Sequence, residues 1–209
     1  MKIAVIAANG KAGRLIVEEA VNRGLDVTAV VRKENATVAQ KAIVKDLFDL
    51  SSEDLKDFDV VISAFGAWGD NLPQTKQSSE HLAEILSGTP TRLLIIGGAG
   101  SLYVNKEHTM TLQDTPDFPE EFKPVAAAAA EALAALRKHD DVNWTYISPA
   151  ADFQAQGERT GDYIVAGEEF TTNDKGESRI SYADYAIAMV DEATSEHPHI
   201  KQRISFLGK

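Results

Sequence analysis

The residues best suited to chemistry stand near the amino terminus, where Ala7-Ala8-Asn9-Gly10-Lys11-Ala12-Gly13 spaces its small residues as A-x-x-G-x-x-G. A glycine-rich turn between a strand and a helix lets backbone amides approach a diphosphate, and the helix N-terminus adds positive potential there. Two plainer readings compete: a strand-to-helix turn without a ligand, and a hairpin, for which Asn-Gly is a strong signal. The helical period that follows argues against the hairpin. Ala8, Asn9, Gly10, Lys11, Ala12 and Gly13 are therefore candidate ligands of a dinucleotide. A Walker loop is excluded, because Val5 stands where its first glycine belongs and Ala12 where Ser or Thr would follow the lysine.

About 20 residues beyond such a loop, an NAD site carries Asp or Glu for the ribose hydroxyls. Here the segment reads Val30-Val31-Arg32-Lys33. A guanidinium beside an ammonium accepts nothing from a hydroxyl but can clamp a 2′-phosphate, which favours NADP(H) and leaves NAD(H) second. The missing carboxylate also weighs against S-adenosylmethionine. A solvated strand end is the alternative for Arg32. Other chemistries fail on their motifs. Gly100-Ser101-Leu102 lacks the closing glycine of a nucleophile elbow. His197 and His199, flanking Pro198 without further ligands at metal-binding spacing, read as exposed residues, and no metal is expected.

The elements that must position these residues are written in the hydrophobic pattern. Apolar runs at Ile3–Ile6, Val27–Val31, Ile43–Val44, Val60–Ala64, Leu93–Ile96 and Trp144–Ile147 predict strands buried on both faces. Ala12, Leu15, Ile16 and Ala20 form a helical stripe, and helices also fit Leu72–Leu86 and Pro119–His139. Strand and helix in alternation predict an α/β, Rossmann-like, doubly wound parallel sheet with helices on both faces. Beyond Pro149 the chain is punctuated by Gly157, Gly161, Gly167 and Gly176, which predicts a small C-terminal cap. One domain over 1–209 is expected: a dinucleotide-binding core at 1–149, a substrate cap at 150–180, and a helix and short strand at 181–209 completing the fold. Tight helix packing accounts for the alanine run Ala126–Ala130.

The 209 residues carry 21 Lys and Arg against 32 Asp and Glu, a net charge of −11. So acidic a surface repels phosphate backbones and anionic headgroups, which argues against nucleic-acid and membrane partners. The longest stretch without a charge, Leu93–Asn105, is 13 residues with three glycines, too short to span a bilayer. Asn9, Gly10 and Lys11 interrupt the first apolar run too early for a signal peptide, so a cytoplasmic protein is expected, as monomer or homodimer.

In this order the motifs resemble the atypical short-chain dehydrogenase/reductases of the NmrA-like type, especially small bacterial proteins described as NADH-flavin reductases. The likeness covers nearly the whole chain. It rests on the glycine loop, Val30-Val31-Arg32, Val44-Lys45-Asp46-Leu47, Ile62-Ser63-Ala64-Phe65-Gly66, Gly97-Gly98-Ala99-Gly100-Ser101-Leu102, Trp144-Thr145-Tyr146-Ile147-Ser148-Pro149, Gly157-Glu158-Arg159-Thr160-Gly161, and Gly176-Glu177-Ser178-Arg179-Ile180-Ser181 with Asp184-Tyr185-Ala186. The resemblance implies that Asp46 and Leu47 frame the adenine and that Ala64, Phe65 and Gly66 line the adenosine ribose and diphosphate. A turn or cap is the plainer role for Asp46, and a tight turn for Gly66. Gly97, Gly98 and Ser101 would floor the nicotinamide, with Pro149, Ala150 and Phe153 as its wall.

Two departures bear on chemistry. Ala7 replaces the first glycine of the fingerprint, which is tolerable where that residue has ordinary φ. No tyrosine has a lysine four residues on, so the acid of the wider superfamily is missing and ketone-alcohol interconversion is not expected. Hydride transfer to a stacked flavin needs orientation more than an acid. The resemblance therefore implies an NAD(P)H-dependent oxidoreductase that reduces a flavin such as FMN or riboflavin, or a quinone-like small-molecule acceptor. Ser101, Tyr103 and His108 are the candidate catalytic polar groups, and Arg159 a clamp for the acceptor's phosphate; a plain surface role is the alternative for each. The rival is a non-catalytic NADP(H) sensor acting through a protein partner. An epimerase or dehydratase of nucleotide sugars is third, disfavoured by the missing tyrosine and the small cap.

Overall fold

A computed structural model describes residues 1–209. Ten strands are present: β1 (Lys2–Ile6), β2 (Asp26–Val31), β3 (Lys41–Val44), β4 (Val60–Ser63), β5 (Arg92–Ile96), β6 (Asn143–Pro149), β7 (Asp152–Gln154), β8 (Tyr163–Ala166), β9 (Arg179–Ser181) and β10 (Gln202–Gly208). The helices are α1 (Lys11–Asn22), α2 (Ser52–Leu55), α3 (Pro73–Leu86), α4 (Lys123–Leu136) and α5 (Tyr182–Thr194). The main sheet runs β3-β2-β1-β4-β5-β6-β10-β8, parallel throughout except for β8, which lies antiparallel on β10. Its first six strands have the order of a doubly wound dinucleotide fold.

Strand alternation sends Ile3 and Val5 of β1 to one face and Ala4 and Ile6 to the other. On the first face they meet Ile16, Val17 and Ala20 of α1 and Ala186, Met189 and Val190 of α5. On the second they meet Leu82 and Leu86 of α3 and Leu133 and Leu136 of α4. No helix is long and apolar enough to cross a membrane.

Where the pattern and the fold differ, local chemistry explains it. The helix expected from Pro119 begins at Lys123, because Glu120–Phe122 forms a separate 3-10 turn and Pro124 fits the first helical turn. The short last strand is seven residues long and is inserted between β6 and β8. The cap expected over 150–180 takes the form of a two-stranded ribbon, β7 with β9, while β8 in the same segment joins the main sheet. His199 is half-buried rather than exposed, and its Nδ1 lies 2.8 Å from a carboxylate oxygen of buried Glu192.

Beyond β5 the chain is pinned by Tyr146. Its buried ring lies against Gly97, where a Cβ would fall 2.2 Å from a ring carbon. The phenol accepts from the Gly98 N–H at 3.1 Å and donates to the Ala129 carbonyl at 3.0 Å. Burial pushes this phenol up to about 12, so it stays neutral. Ala126 and Ala129 of α4 approach this turn so closely that a Cβ on Gly100 or Gly98 would meet them at 2.6 and 3.0 Å, which explains the alanine run. Gly97→Ala should cost about 2 kcal/mol or more by overpacking. Urea unfolding checks this, and an unchanged midpoint would refute it.

Candidate functional site

Strand order reverses between β1 and β4, and the crevice that opens at their carboxyl ends holds the loop 7–13. Within it the Gly10 N–H donates to the Ala7 carbonyl at 3.0 Å, and the Arg14 N–H to the Gly10 carbonyl at 2.9 Å. The amides of Lys11, Ala12 and Gly13, the first turn of α1, find no acceptor within the chain. Gly10 makes no side-chain cap, and no acidic residue occupies that turn. Three free donors at a helix N-terminus make a site for an anion, and a diphosphate fits this donor set.

Close packing sets the glycines. A Cβ on Gly13 would stand 2.5 Å from the Ala7 carbonyl oxygen, so Gly13 lets α1 sit directly on the turn. Ala7 itself has φ +56°, the left-handed region that glycine tolerates and alanine does not favour. The condition of ordinary φ is not met, and the missing first glycine leaves strain in the loop.

The next element is tied to this loop through Asn9. Its side-chain N–H donates to the Glu34 carbonyl at 2.9 Å, and its side-chain oxygen accepts from the Ala36 N–H at 2.9 Å. The expected diphosphate ligand Asn9 thus gives its side chain to the segment after β2 and keeps Arg32 and Lys33 beside the loop. Every arginine except Arg14 and Arg32 pairs with a carboxylate, and Lys11 and Lys33 have no such partner either. Four exposed cations without carboxylate partners thus gather at one end of a strongly acidic chain.

Along the same edge, Asp46 caps a 3-10 turn through one carboxylate oxygen, which accepts from the Phe48 N–H at 3.0 Å, and Leu47 is buried beneath. Ala64 and Phe65 follow β4, with the Ala64 N–H on the Ile6 carbonyl at 3.0 Å, while Gly66 is open to solvent. Gly97 and Gly98 follow β5, held by Tyr146 as described. Pro149 ends β6, Ala150 is buried, and the Phe153 ring packs 4.1 Å from Tyr182 and 4.8 Å from Tyr185. All these predicted cofactor residues stand at the carboxyl ends of the strands or on the segments leaving them.

The predicted catalytic and substrate residues do not join them. The loop after β5 turns down across the sheet as a hairpin, with Tyr103 and Thr111 bridged and the Tyr103 N–H on the Glu168 carbonyl at 2.9 Å. Tyr103 and His108 thereby line a cavity with Trp144, near the start of β6, and Lys201, just before β10. The five steps from Trp144 to Pro149 span roughly 16 Å of extended strand, so this cavity lies at the opposite edge from the dinucleotide crevice. Ser101 stays nearer the crevice, yet its hydroxyl and carbonyl are both held at 3.0 Å by the buried guanidinium of Arg203. Arg159 pairs with Glu19 on the flank of α1 at 2.9 Å.

Residues 7–193 match the family described as NAD(P)H-binding, and the chain belongs to that family. It is similar to the uncharacterized protein YwnB of Bacillus subtilis strain 168, at 46% identity over 204 residues, 96% of this chain and 95% of YwnB. Among solved structures it resembles a Streptococcus pneumoniae protein described as a candidate NADH-flavin reductase, at 60% identity over 100% of both chains with TM-score 0.97. A candidate epimerase from Bacteroides thetaiotaomicron matches at 33% identity, 99% of this chain and 96% of that one, with TM-score 0.83.

The strained turn yields a prediction. Ala7→Gly should raise stability by up to about 1 kcal/mol, the relief of left-handed strain exceeding the added chain entropy. A lower urea midpoint for this variant would mean that Ala7 is not strained.

Proposed function

We propose that this chain is an NADPH-preferring oxidoreductase that reduces a flavin or quinone-like acceptor. The observation that carries the preference is Arg32 with Lys33, held beside the free amides of α1 by Asn9 and without carboxylate partners of their own. The Streptococcus pneumoniae relative is described as a candidate NADH-flavin reductase. A guanidinium at the ribose end turns the reading toward the 2′-phosphate in this chain.

A nicotinamide held here would supply a hydride, two electrons and a proton, with the acceptor's second proton coming from solvent. The chain's own part is binding and orientation. The α1 amides hold the diphosphate, Arg32 and Lys33 the 2′-phosphate, and Asp46 with Leu47 flank the adenine. Gly97 and Gly98 form the floor, and Pro149, Ala150 and Phe153 a wall that limits water beside the reacting rings. With Tyr103 and His108 at the far edge, the reaction that suits this site is one that needs alignment rather than a side-chain acid.

Protein-dependent NADPH oxidation with added FMN tests the activity. A saturable rate above the protein-free background is expected. Binding of NADPH without turnover on FMN, riboflavin or a quinone would favour instead a sensor that signals through a protein partner. Arg32→Ala should weaken NADPH about 10- to 100-fold, the scale of a lost charge-assisted hydrogen-bonded pair, and change NADH little. Equal losses for both nucleotides would contradict the assignment of Arg32.

A further inference from the structure

The cavity that captures Tyr103 and His108 has no part in the dinucleotide site, yet it has the features of a site of its own. It is an open pocket of about 360 Å³, within the range of small-ligand pockets. Its base is Arg203, wholly buried and hydrogen-bonded on every side to Ser101, Ser148 and Glu168. Glu168 is shared, since its other carboxylate oxygen binds Arg137 at 2.6 Å. The Tyr103 ring is held between the His108 ring, stacked at 4.3 Å and 5°, and the Arg203 guanidinium at 5.8 Å.

Two observations point to a ligand. First, the lining carries Arg137, Lys201 and Arg203 against Asp140 and Glu168, a net positive charge of one in a chain of net charge −11. Lys201 has no carboxylate partner, and the Tyr103 hydroxyl makes no hydrogen bond, so donors remain free around the cavity. Second, only three non-glycine residues have left-handed backbone, and two of them, His108 at φ +54° and Lys201 at φ +57°, line this cavity. The third is Ala7 in the dinucleotide loop. Strain of this kind persists where the surrounding structure holds a functional arrangement in place.

We propose that this cavity is a second binding site, separate from the dinucleotide crevice, for a small oxyanion, a carboxylate or a phosphate. Lys201, the outer nitrogens of Arg137 and the Tyr103 hydroxyl are its donors. Glu168 is the built-in counter-charge that Arg137 and Arg203 share until the ligand arrives. Through Arg203 the site reaches Ser101, so an occupant would also bear on the turn that leaves β5 toward the nicotinamide floor.

Trp144 lines the cavity, and the other tryptophan, Trp68, is exposed on the loop after β4, so Trp68→Phe leaves a reporter at the proposed site. Inorganic phosphate and malonate are titrated into this variant at constant ionic strength while Trp144 emission is followed. A saturable change with either anion is expected, and which anion produces it tells the phosphate from the carboxylate. Adding Lys201→Gly, which removes the ammonium and relieves the left-handed backbone, or Arg137→Gln, should weaken that response at least tenfold while NADPH affinity holds. No saturable change with either anion, or the same response in both variants, would overturn the proposal.

Discussion

Much of this molecule depends on three backbone amides. The first turn of any helix has donors that the helix cannot satisfy, and ordinary helices cap them with a side chain. In α1 the cap residue is Gly10, the first turn holds no carboxylate, and the amides of Lys11, Ala12 and Gly13 point into the crevice at the strand reversal. The surrounding choices follow from keeping that end open. Gly13 brings the helix onto the turn, Ala7 accepts a strained φ, and Asn9 serves the neighbouring segment instead of capping its own helix.

The second organising contact is the buried guanidinium of Arg203. It draws the loop after β5, the start of β10 and the segment after β8 together on one face of the sheet. Removing Glu168 would leave the buried Arg203 charge without its carboxylate partner, which is strongly destabilising. It also explains why a loop that leaves the carboxyl edge delivers two of its polar residues to the opposite edge. The crevice is left with glycine, proline, alanine and aromatic residues on the segments after β5 and β6, a surface that suits flat rings.

The parallel sheet was legible because strands buried on both faces appear as continuous apolar runs, and α1 because its stripe repeats at helical period. The positions of the candidate cofactor residues were legible because they follow strands in a fixed order, so the place of Arg32, Asp46, Ala64 and Gly97 at the carboxyl edge came with the fold. Tyr103 and His108, expected beside the crevice, stand at the opposite edge for a reason of the same kind. Their place in the chain suggests the edge, but the hairpin that carries them is set by Arg203 and Glu168, far along the chain. In β10, Arg203-Ile204-Ser205-Phe206 alternates as a half-exposed strand would, and only tertiary covering buries its polar side as well. Arg159 carried no local sign that Glu19 would take it.

The central claim is that the site is built for a nucleotide bearing a 2′-phosphate, and calorimetric titration of the chain with NADP⁺ and NAD⁺ at fixed, moderate salt tests it most directly. NADP⁺ should bind at least about tenfold more tightly, with a preference that shrinks as salt rises, as charge-assisted phosphate recognition requires. Equal affinities for the two nucleotides, or a preference for NAD⁺, would contradict it.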